Sequence, residues 1–201
     1  MAGEPRRRRL GPDERRAEIV RAADCVLAGR DPSTVTFEEI AAKAGVSRAL
    51  VYNYFGDRGG LLAAVYRTAF EGLDAELSSA LAEDLPPRER VHRVVGGFIA
   101  FAKTRATGWA SLYTLAGSQH PAVAAARSER YARLAADWGG GPKGRLVAAG
   151  LLGLLESSVI DWIAQPGLER EQLVELLEDL AWSGLQGLLE GGVVSVGALA
   201  V

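Results

Sequence analysis

The sequence predicts an all-α protein: a small N-terminal three-helix unit joined to a larger helical region, about nine helices in all. Three observations carry this reading. Apolar residues recur at helical spacing through most of the 201 residues, and no stretch alternates convincingly as a strand would. Gly and Pro clusters interrupt the periodicity at Gly29–Pro32, Pro86-Pro87, Gly139–Pro142 and Gln165–Gly167. A hydrophobic fraction of 48% is ample for a core.

Residues 1–12 hold Pro5, Gly11, Pro12 and the run Arg6–Arg9 without periodicity, and read as a flexible basic arm. Asp13 is placed to cap a first helix over residues 14–29, with Ile19, Ala22, Ala23, Val26 and Leu27 on its apolar side. Cys25 falls on that side and reads as a core thiol; a single cysteine excludes an internal disulfide framework. Thr36 and Glu39 have the spacing of a capping box before Phe37, Ile40 and Ala41. Gly45 suits a left-handed helix end, and Ser47 caps a second short helix through Tyr54. Two short helices joined through a glycine turn make a helix-turn-helix, whose second helix would enter a major groove. The first helix supplies the third wall, so residues 13–57 form one unit. Asp57 then caps a long helix over 58–82, weakened at its start by Gly59-Gly60.

The second region, 83–191, reads as helices over about 88–105, 107–116, 122–138, 143–164 and 169–190, followed by a tail at 192–201. Arg48 is the residue best suited to read a base, since a guanidinium bridges O6 and N7 of guanine. Asn53 suits a base or a phosphate, whereas Ala49 and Leu50 offer only apolar contact. Residues 1–60 carry 11 basic against 9 acidic side chains, and the remainder 12 against 16. That asymmetry supports nucleic-acid binding only weakly. The arm reads either as a minor-groove or phosphate follower or as a solvated tail.

The stretch Thr36-Phe-Glu-Glu-Ile-Ala, Ala44-Gly-Val-Ser, Val51-Tyr-Asn-Tyr-Phe-Gly-Asp-Arg58 and Leu61-Leu62 resembles the DNA-binding signature of the TetR/AcrR family of bacterial transcriptional regulators. The likeness covers about residues 13–66; beyond it only length and helical character match. Similar proteins often have a smaller or polar residue at position 50, which implies that Leu50 serves packing equally well. It implies phosphate contacts from Thr36, Ser47, Tyr52, Tyr54 and Arg58, with core packing as the plain alternative for Tyr52, Tyr54 and Phe55. It also implies that the helix over 58–82 connects a DNA-binding half to a ligand-binding and dimerisation half. The expected protein is a cytoplasmic homodimer on a palindromic duplex operator, a repressor released by a small-molecule effector that the sequence does not identify.

Within the second half, Leu146, Ala149, Gly150, Gly153 and Ser157 form a stripe of small and apolar residues. Leu173, Leu177, Leu180 and Gly184 form a second, and together they suggest a four-helix dimer interface, or else intrachain packing. Phe98, Phe101, Arg105, Trp109, Tyr113, Trp138, Ser158 and Trp162 are candidates to line a ligand cavity, with Gln119, His120 and Glu156 as further polar groups; each aromatic is also a plain core candidate. No catalytic grouping, phosphate loop or metal spacing is apparent, so neither enzyme activity nor a metal or other cofactor is expected. The run Arg6–Arg9 is not followed by an apolar signal segment, and no apolar run reaches the roughly 18 residues that span a bilayer. A helical interaction protein that reads no DNA is the main alternative function; a helical enzyme is a weaker one.

Overall fold

The computed structural model describes residues 10–81, 85–104, 120–136 and 140–192. Eight α-helices are present among them: α1 (Pro12–Leu27), α2 (Phe37–Ala44), α3 (Arg48–Phe55), α4 (Arg58–Leu81), α5 (Pro87–Thr104), α6 (Pro121–Ala136), α7 (Gly141–Ala164) and α8 (Arg170–Glu190). A short 3-10 turn, Pro32–Thr34, precedes α2. The expected helix at 107–116, the basic arm at 1–9 and the tail from 193 lie outside the described residues.

The local signals act largely as chemistry requires. The Thr36 hydroxyl accepts from Glu39 N–H at 3.2 Å, and Glu39 accepts in turn from Thr36 N–H at 2.8 Å. These bonds, that backbone donor first and Arg30 next, hold the Glu39 carboxyl down to about 2. A depressed acid stabilises α2 above its ordinary range near 4.5, and that contribution fades as pH falls toward 2. Gly45 ends α2 at φ 65°, a left-handed position that favours glycine. Ser47 caps α3 by accepting from Leu50 N–H, and Asp57 caps α4 through Gly60 N–H at 2.8 Å. The first helix differs from expectation. Gly11, not Asp13, is its N-cap, because Pro12 occupies the first helical position and Glu14 reaches back to Gly11 N–H. Cys25 is exposed rather than in the core, since Ile19, Ala22, Ala23 and Leu27 fill the buried side.

One apolar core runs from Ile19 on α1 through Val51, Leu61, Leu73, Phe98 and Val123 to Leu177 on α8. Helix α4 joins its two parts, packing on α1 and α3 at one end and on α5 and α6 further along. Contrary to the sequence expectation, one helix among the described residues is long and apolar enough to cross a membrane by length and composition: α7, which contains an 18-residue stretch of mean hydropathy 1.6. Its Glu156 is buried and bonded to Arg130, and one side of α7 packs on α5, α6 and α8, while most of its apolar stretch is left uncovered in the single chain.

Gly59-Gly60 looked like a weak start to α4. The structure gives both glycines a steric reason. A Cβ on Gly60 would lie 2.2 Å from the Phe55 carbonyl oxygen, and one on Gly59 would lie 1.7 Å from His120 Cε1. The first neighbour is backbone at the end of α3; the second is a side-chain ring that can turn away. Gly60→Ala is therefore expected to lower stability by about 1–3 kcal/mol, although alanine is the better helix former. Denaturant unfolding measures this. A gain in stability would show that the joint between α3 and α4 has slack.

Candidate nucleic-acid interface

Helix α3 is fixed from behind. Val51 and Phe55 are buried in the core, and the Arg16 guanidinium of α1 lies 5.2 Å from the Phe55 ring centre. The i, i+4 spacing of those two anchors leaves Ala49, Tyr52 and Asn53 exposed away from the core, while Ser47 and Arg48, in line with the anchors, are exposed because they stand at the N-terminal end of α3. Leu50 and Tyr54 are half-buried at the flanks, and Tyr54 packs against the core. Of the three aromatic residues ending α3, Tyr52 alone is exposed, 41% by area. Its ring packs against Phe37 of α2, tilted by 60° with centres 4.5 Å apart.

Arg48 projects from the first turn of α3. It donates to the Tyr52 hydroxyl at 3.2 Å, lies 5.3 Å from the Tyr52 ring centre and forms an ion pair with Glu38 of α2. Glu38 carried no signal in the one-dimensional reading. Only the packing of α2 against α3 brings residues 38 and 48 together. Thr36 is exposed beside the start of α2, where free N–H groups favour an anion, though its hydroxyl is already engaged with Glu39. Arg58 stands at the start of α4 but is half-buried, and its Nη2 is buried without a hydrogen-bond partner. A phosphate there would meet only part of this guanidinium, unlike the open contact the resemblance implies.

A family model described as bacterial regulatory proteins of the tetR family matches residues 19–65. The crystal structure of a TetR-like transcriptional regulator from Rhodococcus sp. RHA1 is 31% identical, covers 89% of this chain and 100% of that chain, and superposes with a TM-score of 0.66. The chain belongs to the TetR family. It is also similar to the transcriptional activator FasR of Mycolicibacterium smegmatis, 26% identical over 193 residues, which is 91% of this chain and 88% of that protein. A likeness to the transcriptional regulator BetI of Brucella anthropi reaches 34% identity but spans 102 residues, 49% of this chain and 53% of that protein. As a TetR-family protein the chain is a DNA-binding transcriptional regulator, and proteins of this family typically bind DNA as dimers.

The two expected dimer stripes are placed differently by the fold. On α7, Leu146 is 72% exposed, Gly150 and Ser157 are exposed, and Ala149 and Gly153 are half-covered. On α8, Leu180 and Gly184 are exposed, as is Leu176. Leu173 and Leu177, expected at the interface, are instead buried in the protomer's own core because they point toward α5 and α7. A groove of about 430 Å³ runs between α7 and α8, lined by Ser157, Ser158, Trp162, Leu176 and Leu180 among others. Ser158 and Trp162, expected around a ligand, therefore lie on this outer surface, where Trp162 donates to the Leu168 carbonyl at 2.8 Å. Phe98 and Phe101 are buried in the core. Arg105, Trp109, Tyr113, Gln119 and Trp138 lie outside the described residues.

Sequence reasoning missed a buried ionic cluster that ties α4 to α6 and α7. Arg130, 1% exposed, donates to Asp74 at 2.7 Å and to Glu156 at 3.4 Å, with its guanidinium 4.2 Å from the Phe70 ring centre. Burial opposes the charged guanidinium, but the Asp74 bonds outweigh it and keep the group strongly basic. Burial pushes the Glu156 carboxyl up, against the pull of Arg130 and Arg127. The Tyr66 hydroxyl is buried nearby, and burial raises it too. Glu156 was visible as a polar residue among apolar ones, but its partners come from distant helices.

Two outcomes follow from this geometry. Arg48→Ala should relax base preference at one position of each half-site and weaken the preferred duplex about ten- to hundred-fold, whereas Arg58→Ala should weaken all sequences alike. Binding to a panel of single-base variants reads both, and the reverse pattern would show the two roles exchanged. Arg130→Ala should lower stability by about 3–5 kcal/mol by stranding buried carboxylates, and Arg130→Met, which refills the volume but strands the same carboxylates, should lower it nearly as much. A much smaller loss for Arg130→Met in denaturant unfolding would mean that volume rather than charge pairing matters there.

Proposed function

We propose that this protein is a cytoplasmic, homodimeric repressor whose hold on a palindromic operator is released by a small-molecule effector. The observation that carries the reading is the double membership of α4. Its first turn is wedged against the last carbonyl of α3 at Gly60, and Asp74, four turns on, is bonded to Arg130 of α6. A ligand that favours a different packing of α6 or α7 would move α4, and α4 would carry α3 with it. The two recognition helices of a dimer would then no longer match half-sites about 34–36 Å apart. Linkage requires that operator weaken ligand binding by the same factor.

The exposed stripe on α7 and α8 supports the dimer. Leu146, Leu176 and Leu180 stand open beside Gly150, Gly153 and Gly184, where small residues let a second helix pair approach closely. Thr36, Ser47, Tyr52, Tyr54, Asn53 and Arg58 are assigned to phosphate or flanking contacts, with Arg48 on a base and Ala49 and Leu50 as apolar neighbours. FasR bears the name of an activator; the sign of regulation depends on where the operator lies relative to the promoter, so a reporter with that DNA upstream measures it directly.

A gel shift with the DNA flanking its own gene tests the reading. Specific binding should survive 150 mM salt and excess random competitor; only weak, salt-erased binding would favour an interaction protein instead. Leu180→Glu places a charge in the proposed interface and should yield a monomer in sedimentation that has lost most of its operator affinity. A variant that stays dimeric would place the interface elsewhere.

A further inference from the structure

The helix-turn-helix of this chain is not a basic surface. Residues 34–58 contain Lys43, Arg48 and Arg58 against Glu38, Glu39 and Asp57, and the charges cancel. Glu39 is taken up by its capping box and by Arg30 at 2.9 Å, and Asp57 caps α4. Glu38 has no such local duty. Its carboxylate and the Arg48 guanidinium are both 56% exposed, and they meet across the gap between the first turns of α2 and α3. An isolated surface pair of this kind contributes little to stability, so its value has to be sought elsewhere.

The arrangement around Arg48 has three points of support. Glu38 holds Nη1, the Tyr52 hydroxyl accepts from Nη2, and the Tyr52 ring lies beneath the guanidinium. That ring is in turn fixed by the buried Phe37. A lone arginine on a first turn samples many rotamers and loses that freedom on binding a base. Here the guanidinium is already set in one orientation on the open face. A guanidinium has five N–H donors, and Glu38 and Tyr52 occupy about two of them. Enough remain for O6 and N7 of a guanine.

We propose that Glu38 is a specificity-determining positioning residue: it braces Arg48 for a guanine edge and, by its own charge, weakens contact with phosphate at every sequence. The two effects are separable. Repulsion between a carboxylate and the duplex acts on all DNA alike. Bracing acts only where Arg48 finds a bidentate acceptor, because a phosphate accepts an arginine from many directions and gains less from preorganisation. Selectivity thus comes from a brace that helps the right sequence and a charge that lowers the background. This inference rests on the DNA-binding reading of α3.

The test uses the full chain and a duplex enriched from a random pool by the wild-type protein, compared with a random duplex of equal length. Glu38→Gln removes the charge; Glu38→Asp keeps it but shortens the reach to Arg48. Melting curves establish that each variant is folded. Glu38→Gln should raise affinity for the random duplex about five-fold at low salt, the scale of one unit-charge contact in water, and steepen the salt slope by about one. The ratio of enriched to random affinity should fall about ten-fold, within the range of one bidentate base contact. Glu38→Asp should leave random-duplex affinity as it was and still relax the base preference. In an Arg48→Ala background, Glu38→Gln should no longer alter the ratio. An unchanged ratio in Glu38→Gln, or a change that persists without Arg48, overturns the proposal. A wild-type chain that enriches no sequence overturns the DNA reading itself, and this inference with it.

Discussion

The contact on which the rest depends is the backbone approach between the end of α3 and the first turn of α4. The Phe55 carbonyl oxygen lies where any side chain at position 60 would have to be. Asp57 sits between the two helices, accepting from Gly60 N–H while its own N–H reaches the Phe55 carbonyl at 2.8 Å. With Phe55 also buried in the core, the recognition helix has no independent hinge against the helix that leads away from it. Close packing without a side chain is stiff because the alternatives are clash or gap.

That stiffness gives the distant end of the molecule its leverage. Helix α4 is bonded through Asp74 to Arg130, which lies almost wholly out of solvent and also meets Glu156 of α7. Breaking such a pair is costly because an uncompensated charge would remain inside. The connecting helix is therefore gripped at both ends by different means: sterically at Gly60, electrostatically at Asp74. His120, seated against Gly59 at the start of α6, adds a third contact between the two halves, and one that can yield by rotation.

The one-dimensional signals were strongest where the chemistry is local. Thr36 with Glu39, Gly45, Ser47 and Asp57 announce their caps because the partners lie within four residues. The long helices followed from apolar period alone. What could not be read was anything that depends on which helices meet. Glu38 and Arg48 are ten residues apart, Asp74 and Arg130 fifty-six. Leu173 and Leu177 share a stripe with Leu180, yet the fold turns the first two inward and leaves the third in the open, a division a helical period cannot make. Cys25 failed for a related reason: it borders the apolar side of α1 but lies just beyond the arc that α2 and α4 cover. Gly59-Gly60 was misread as weakness, since propensity counts what glycine lacks and not what approaches it.

The proposed binding mode places α3 in the major groove, with a second copy one helical repeat away on the same face. Methylation interference tests it most directly, because N7 methylation of guanine blocks the major-groove edge and N3 methylation of adenine the minor-groove one. N7 methylation at a guanine in each half-site should abolish binding, the two positions separated by about one turn of duplex. Interference confined to adenine N3, or a single interfering guanine with no symmetric counterpart, would contradict it.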